Sequence, residues 1–206
     1  MKVLLVNGSI HENGTTMRAI TEMIGVFNDE GVETEVIQLG SEPISDCLAC
    51  RGCSKTGKCV VDDGVNEFVE KARSADGFVF ATPVYYAHPS GRIFDFLDRV
   101  FYSGGDVFAF KPGAAVAVAR RGGTTAALDA LNKYFGISQM PIAGSTYWNN
   151  VHGHNAADAE LDGEGMQTMR NLARNMTWMM RCFEMGKENG IEHPKTEHDA
   201  RTNFIR

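Results

Sequence analysis

Lys2-Val3-Leu4-Leu5-Val6-Asn7-Gly8-Ser9-Ile10-His11-Glu12-Asn13-Gly14-Thr15-Thr16 is the stretch that decides the architecture. Residues 3–6 form an unbroken apolar run, which gives way to a polar loop with two glycines. Met17, Ile20, Ile24 and Phe27 then recur at helical spacing. A short strand with no alternation is one that is covered on both faces. Strand, loop and amphipathic helix in that order make the first half of a βαβ unit.

The same alternation runs along the chain. Further strands are predicted at residues 33–39, 77–81, 114–119 and about 139–143. Between them, Ile93, Phe96, Leu97, Val100 and Phe101 mark one helical stripe. Met166, Met169, Leu172, Met176, Met180 and Phe183 mark another, which reads as core packing rather than a cofactor box. The fold class expected is α/β, a doubly wound five-stranded parallel sheet in flavodoxin-like order with helices on both faces. In such sheets ligands sit beyond the carboxyl ends of the strands, where the strand order switches.

Of the 206 residues, 43% are apolar, which suits a single domain, read here as residues 1–186. A polar tail, 187–206, lacks apolar periodicity and is expected either to wrap a partner subunit or to be disordered. Twenty basic against 26 acidic residues give a net charge of −6, which argues against a nucleic-acid or anionic-membrane partner. The first residues turn polar too soon for a signal peptide, and no apolar run approaches the roughly 20 residues of a membrane span. A cytoplasmic location is expected. In that reducing compartment, grouped cysteines more often bind metal or do redox chemistry than form disulfides.

The first loop is a candidate phosphate cradle. Ser9, Asn13, Thr15 and Thr16 offer donors beside a helix start, where free N–H groups favour an anion, and Gly8 and Gly14 permit close approach. An ordinary helix cap is the competing reading. No Gly-Lys-Ser/Thr closes the loop, it has no cysteine, and its spacing fails the GxGxxG fingerprint, so it holds a phosphate without breaking one. Beyond the third strand, Thr82-Pro83-Val84-Tyr85-Tyr86 combines a fixed turn with aromatic surface, although it could simply plug the sheet end. Beyond the fourth, Arg120-Arg121-Gly122-Gly123 is either an approach to a ligand or a turn with two solvated arginines.

Gly8-Ser9, with Asn13-Gly14-Thr15-Thr16 closing the loop, resembles the first loop of NADPH-dependent FMN reductase-like flavoproteins, with His11 where the family usually has Arg. The phosphate grip is therefore expected to be weaker or to vary with pH. The string from Thr82 to Asp98-Arg99 resembles the family segment that lines the isoalloxazine ring. There the following helix often packs on a second subunit, so a homodimer or homotetramer is implied. The resemblance covers about residues 1–185 in order. It implies FMN bound by Ser9, His11, Asn13, Gly14, Thr15, Thr16, Pro83, Val84, Tyr85, Tyr86, Arg120, Arg121, Gly122 and Gly123, with NAD(P)H as co-substrate. The Arg120 region would face the anion of a reduced flavin, and Tyr147–Gly153 would border the flavin or the nicotinamide channel.

Cys47, Cys50, Cys53 and Cys59 have the spacing C-x2-C-x2-C-x5-C within the loop 46–63. Two successive x2 gaps let one loop wrap a single cluster, and four thiolates satisfy a [4Fe-4S] cube. The spacing and the Val-x-Asp-Asp that follows resemble the iron–sulfur flavoprotein branch of the family. Structural zinc, which prefers two separated pairs, and structural or redox thiols compete with it. Cys182 is expected as a small buried hydrophobe.

The function expected is an oxidoreductase passing electrons from NAD(P)H through FMN to a small-molecule or protein acceptor, in pairs or singly through a cluster. No side chain is assigned as catalytic acid or base. The alternative is a non-enzymatic electron carrier, which would usually show a stronger acidic bias than −6. A phospho-acceptor receiver needs carboxylates at the strand ends, where Asn7-Gly8 and Thr82-Pro83 stand instead.

Overall fold

Strand β1 (Lys2–Asn7) is an interior strand of the sheet in a computed structural model that describes residues 1–200, 202 and 204. Val3 and Leu5 point into one apolar layer, Leu4 and Val6 into the other, so all four are fully buried. Each such side chain contributes about 1.5–3 kcal/mol by leaving water.

The chain continues through α1 (Thr15–Asp29), β2 (Glu33–Gln38), a short turn of helix α2 (Cys53–Thr56) and α3 (Val65–Arg73). Next come β3 (Gly77–Tyr85), the two-residue β4 (His88–Pro89), α4 (Gly91–Gly104) and β5 (Gly113–Ala119). It ends with α5 (Thr124–Ile137), β6 (Asn150–His152), α6 (Ala156–Leu161) and α7 (Gly163–Glu188). The parallel order is β2-β1-β3-β5-β6, with β4 folded back antiparallel on β3. From β2 the chain crosses β1 to reach β3, and the switch point falls at the carboxyl ends of β1 and β3. α1 and α7 cover one face; α3, α4 and α5 cover the other.

Two expectations need correction. Residues 139–143 do not form the fifth strand. Gln139 has φ 56° and Pro141 has no N–H, so only Ile142 bridges to Gly113. The fifth parallel strand is Asn150–His152, paired with Ala117, Val118 and Ala119. Part of the expected loop 147–153 is therefore sheet. Cys182 is exposed, not buried: it lies about 200° round α7 from the buried Met180. The methionines 166, 169, 176 and 180 are core, but Phe183 is more than a third exposed.

The tail lies partly on its own chain, with the His193 ring stacked 4.5 Å from Phe110 and Thr196 bonded to Gln139. Residues 201, 203, 205 and 206 of the expected tail lie outside the described residues. Among the described residues no helix is long and apolar enough to cross a membrane.

Candidate functional site

Asn7, the last residue of β1, is fully buried and fastens the first loop from beneath. Its side-chain oxygen accepts from the Ser9 N–H (3.1 Å), and its amide donates to Gln38 Oε1 (2.6 Å) and the His11 carbonyl (3.3 Å). Gln38, at the end of β2, donates in turn to the Ser9 carbonyl at 2.7 Å. The Ser9 hydroxyl accepts from the His11 N–H at 3.1 Å. From the β3 side, the Gly8 N–H donates to the Ala81 carbonyl and the Ser90 hydroxyl donates to the Gly8 carbonyl. Thr82 completes this buried polar group by accepting from the Ser90 N–H.

The loop so held curls over the start of α1. Gly14 is the N-cap and no side chain caps the helix, so first-turn N–H groups are left for a ligand. Around this helix start lies a cavity of about 830 Å³. Its walls come from four strand ends: Ser9–Thr16 after β1, Pro83–Tyr85 on β3, Val118–Arg120 on β5, and Gly153–Ala156 after β6.

Of the residues singled out in the sequence, Ser9, His11, Asn13, Gly14, Thr15, Thr16, Pro83, Val84, Tyr85 and Arg120 line this cavity. Tyr86, Arg121, Gly122 and Gly123 do not. Tyr86 is 98% exposed at the tip of the β3–β4 turn, where it and Ala87 have φ of 49° and 65°. A turn with positive φ at both central residues normally takes Asn-Gly, and non-glycine residues held there are strained. Gly123, at φ 92°, supports that turn from below: a Cβ on it would stand 2.7 Å from the Ala87 Cα. Tyr147, Trp148 and Asn149, expected to border the flavin or the nicotinamide channel, line a separate cavity of about 560 Å³ against α5.

Sequence reasoning did not assign the hydrogen-bonding roles of Asn7, Gln38, Thr82 and Ser90, because those roles lie in contacts across 8 to 82 residues. It also missed His154–Ala156, although Gly153, the last residue of the expected 147–153 loop, does line the cavity. A signal was present there, since Asn155 caps α6 by accepting from the Asp158 N–H three residues on.

The cysteine loop forms a second centre. Cys47, Cys50, Cys53 and Cys59 are free thiols that line one cavity of about 20 Å³ with Arg99 and Tyr102 of α4. Among the described residues no three His, Cys, Asp or Glu stand gathered as a ready metal site. The loop thus presents four thiols around a small space rather than a closed ligand cage. Positive φ at Ala49 and Arg51 curls the chain between the first three. Asn66 of α3 brackets Cys59, accepting from its N–H (2.8 Å) and donating to its carbonyl (2.9 Å). Arg99 donates to the Cys59 sulfur at 3.3 Å. Its paired bonds to Asp63 hold the guanidinium firmly protonated against the opposing effect of burial.

Over residues 1–155 the chain matches the model of the family described as NADPH-dependent FMN reductase. It is 30% identical over 192 residues to an iron-sulfur flavoprotein of Methanocaldococcus jannaschii, covering 89% of this chain and 100% of that one. It is 28% identical over 192 residues to an iron-sulfur flavoprotein of Methanosarcina thermophila, covering 91% and 100%. Its fold is similar to that of FerB, a flavoenzyme NAD(P)H:(acceptor) oxidoreductase of Paracoccus denitrificans. There the TM-score is 0.68 at 14% identity, over 88% of this chain and 97% of that one.

Proposed function

The chain belongs to the NADPH-dependent FMN reductase family, and we propose that it is an oxidoreductase moving electrons from NAD(P)H through bound FMN to a small-molecule or protein acceptor. The observation that carries this reading is the meeting of four strand ends around one large cavity at the uncapped start of α1.

The residues present fit FMN. A phosphate monoester suits the first-turn N–H groups of α1, with Ser9, Asn13, Thr15 and Thr16 as further donors and His11 at the loop. A planar ring suits the strip of Pro83, Val84 and Tyr85. Arg120 brings positive charge to the cavity wall, which Arg121 does not line. When bound, FMN supplies the hydride and electron chemistry, and the protein supplies position and electrostatics. Asn7, Gln38 and Ser90 keep the phosphate loop in one shape, so little ordering remains to be done on binding.

The same proposal assigns a [4Fe-4S] cluster to Cys47, Cys50, Cys53 and Cys59. Four free thiols around one cavity are the donor set such a cluster needs, and two relatives bear the name iron-sulfur flavoprotein. A cluster there would carry electrons singly. A homo-oligomer is also proposed: Phe94 of α4 with Tyr134 and Ile137 of α5 lines an open groove suited to a second copy.

The test is anaerobic purification, followed by a visible spectrum, iron and sulfide analysis, and NADH and NADPH oxidation with artificial acceptors. A flavin spectrum with turnover is expected, together with about four irons per chain. Flavin without iron would remove the cluster and leave the reductase. Flavin without turnover on either nicotinamide would favour the electron carrier. A chain that neither holds nor takes up FMN would overturn the proposal.

A further inference from the structure

Arg99 is among the largest fully buried side chains of the described residues, with 1% of its side-chain surface exposed. A guanidinium has five N–H donors and no acceptor. Here all five are used. Nε donates to the Cys59 sulfur (3.3 Å). Nη1 donates to the Ser45 carbonyl (3.2 Å) and to Asp63 Oδ2. Nη2 donates to the Val61 carbonyl (3.1 Å) and to Asp63 Oδ1 (2.6 Å). Its partners stand just before the first cysteine of the loop, at the last cysteine, and just after it.

We infer that Arg99 is a positioning residue that clasps the cysteine loop shut on α4 and sets, through its hydrogen bond to the Cys59 sulfur, the redox potential of a cluster held there. The clasp stands on the hydrogen bonds alone; the effect on potential rests on the cluster reading above.

Three further observations make the clasp specific. Arg92, two helical turns earlier on α4, donates to the Ser41 and Glu42 carbonyls, so the same helix also holds the approach to the loop. Cys53 reaches the Tyr102 carbonyl of α4 at 3.7 Å. The Cys59 backbone is independently fixed by Asn66, which leaves the sulfur as the part that Arg99 governs. Lysine cannot replace this fork, since one ammonium has three donors at a single point.

Asp63 offsets the guanidinium charge at longer range, so at the sulfur it is chiefly the hydrogen bond that is felt. Such a bond stabilises the more negative, reduced state of a thiolate-bound cluster and raises its potential.

The test compares Arg99→Gln, Arg99→Lys and Asp63→Asn with the wild-type chain. In metal-free protein, amide exchange across residues 45–63 is expected to quicken by about tenfold in Arg99→Gln, with Arg99→Lys and Asp63→Asn between it and wild type. FMN affinity should not change in any of them. In iron-loaded protein the cluster midpoint potential should move to more negative values in Arg99→Gln. Wild-type exchange rates in Arg99→Gln and Asp63→Asn would overturn the clasp. An unchanged potential in a variant whose loop exchange has quickened would overturn the tuning. If wild-type protein takes up no iron, the cluster reading fails, while the exchange comparison still decides the clasp. Should Arg99→Gln not fold, Arg99→Lys and Asp63→Asn decide it.

Discussion

An added Cβ at Gly8 would stand 2.9 Å from the Ala81 carbonyl oxygen and 3.0 Å from two atoms of Ile93. The carbonyl belongs to the sheet and cannot yield, so the loop itself would have to move. Gly8→Ala is therefore expected to cost about 1–3 kcal/mol of stability and to weaken FMN binding by at least about tenfold. Urea unfolding and flavin fluorescence titration would check the two effects; wild-type affinity would mean that the loop shape does not govern the site. The adjoining residues were unequally legible. Ser9, Asn13, Thr15 and Thr16 declared themselves as donors beside a helix start. Asn7 read only as the end of a strand, because its two most telling partners are Gln38, 31 residues away, and the turn that folds back over it.

α1 and α7 meet across the outer face of the sheet, and Glu22 joins them. It accepts from Arg18 on its own helix at 2.7 Å and from Arg170 of α7, while Arg18 also reaches Glu160 of α6. Burial pushes the Glu22 carboxyl up, but the two arginines outweigh it and hold the group below its ordinary value of 4.5. A carboxylate lowered in this way adds stability that is complete above the ordinary value and fades as the pH falls through the lowered one. Glu22→Gln should cost about 1–2 kcal/mol at neutral pH, and the gap to wild type should close progressively below pH 4.5. Denaturation across pH measures this; a gap independent of pH would show that the ion pairs are not its source. The error over the fifth strand belongs to this scale as well. Residues 139–143 carry strand-like side chains, but Pro141 and the left-handed Gln139 limit them to one bridge. Three polar-flanked residues take the place because β5 has an open edge there.

Across the whole molecule, the four cavity walls come from segments between residues 9 and 156, so a ligand seated there ties both halves of the sheet together. FMN at a hundredfold over its Kd should stabilise the protein by about 2.7 kcal/mol, a Tm rise of about 5–10 °C for a chain of this length. Riboflavin, without the phosphate, should raise Tm by clearly less. Equal shifts by calorimetry would remove the phosphate cradle from the account. The sequence by itself determined the α/β class, the parallel strands β1, β2, β3 and β5, the methionine core of α7, and the loops that meet at the strand ends. All of these follow from periodicity and local chemistry, which neighbouring residues carry. Only the tertiary structure decided which stretch closes the sheet edge, that Tyr86 and Arg121 stand off the cavity while His154 and Asn155 line it, and that Arg99 lies buried with all five donors spent on the cysteine loop. Those outcomes depend on partners tens of residues apart, and a hydrogen bond across such a distance leaves no local pattern in the chain.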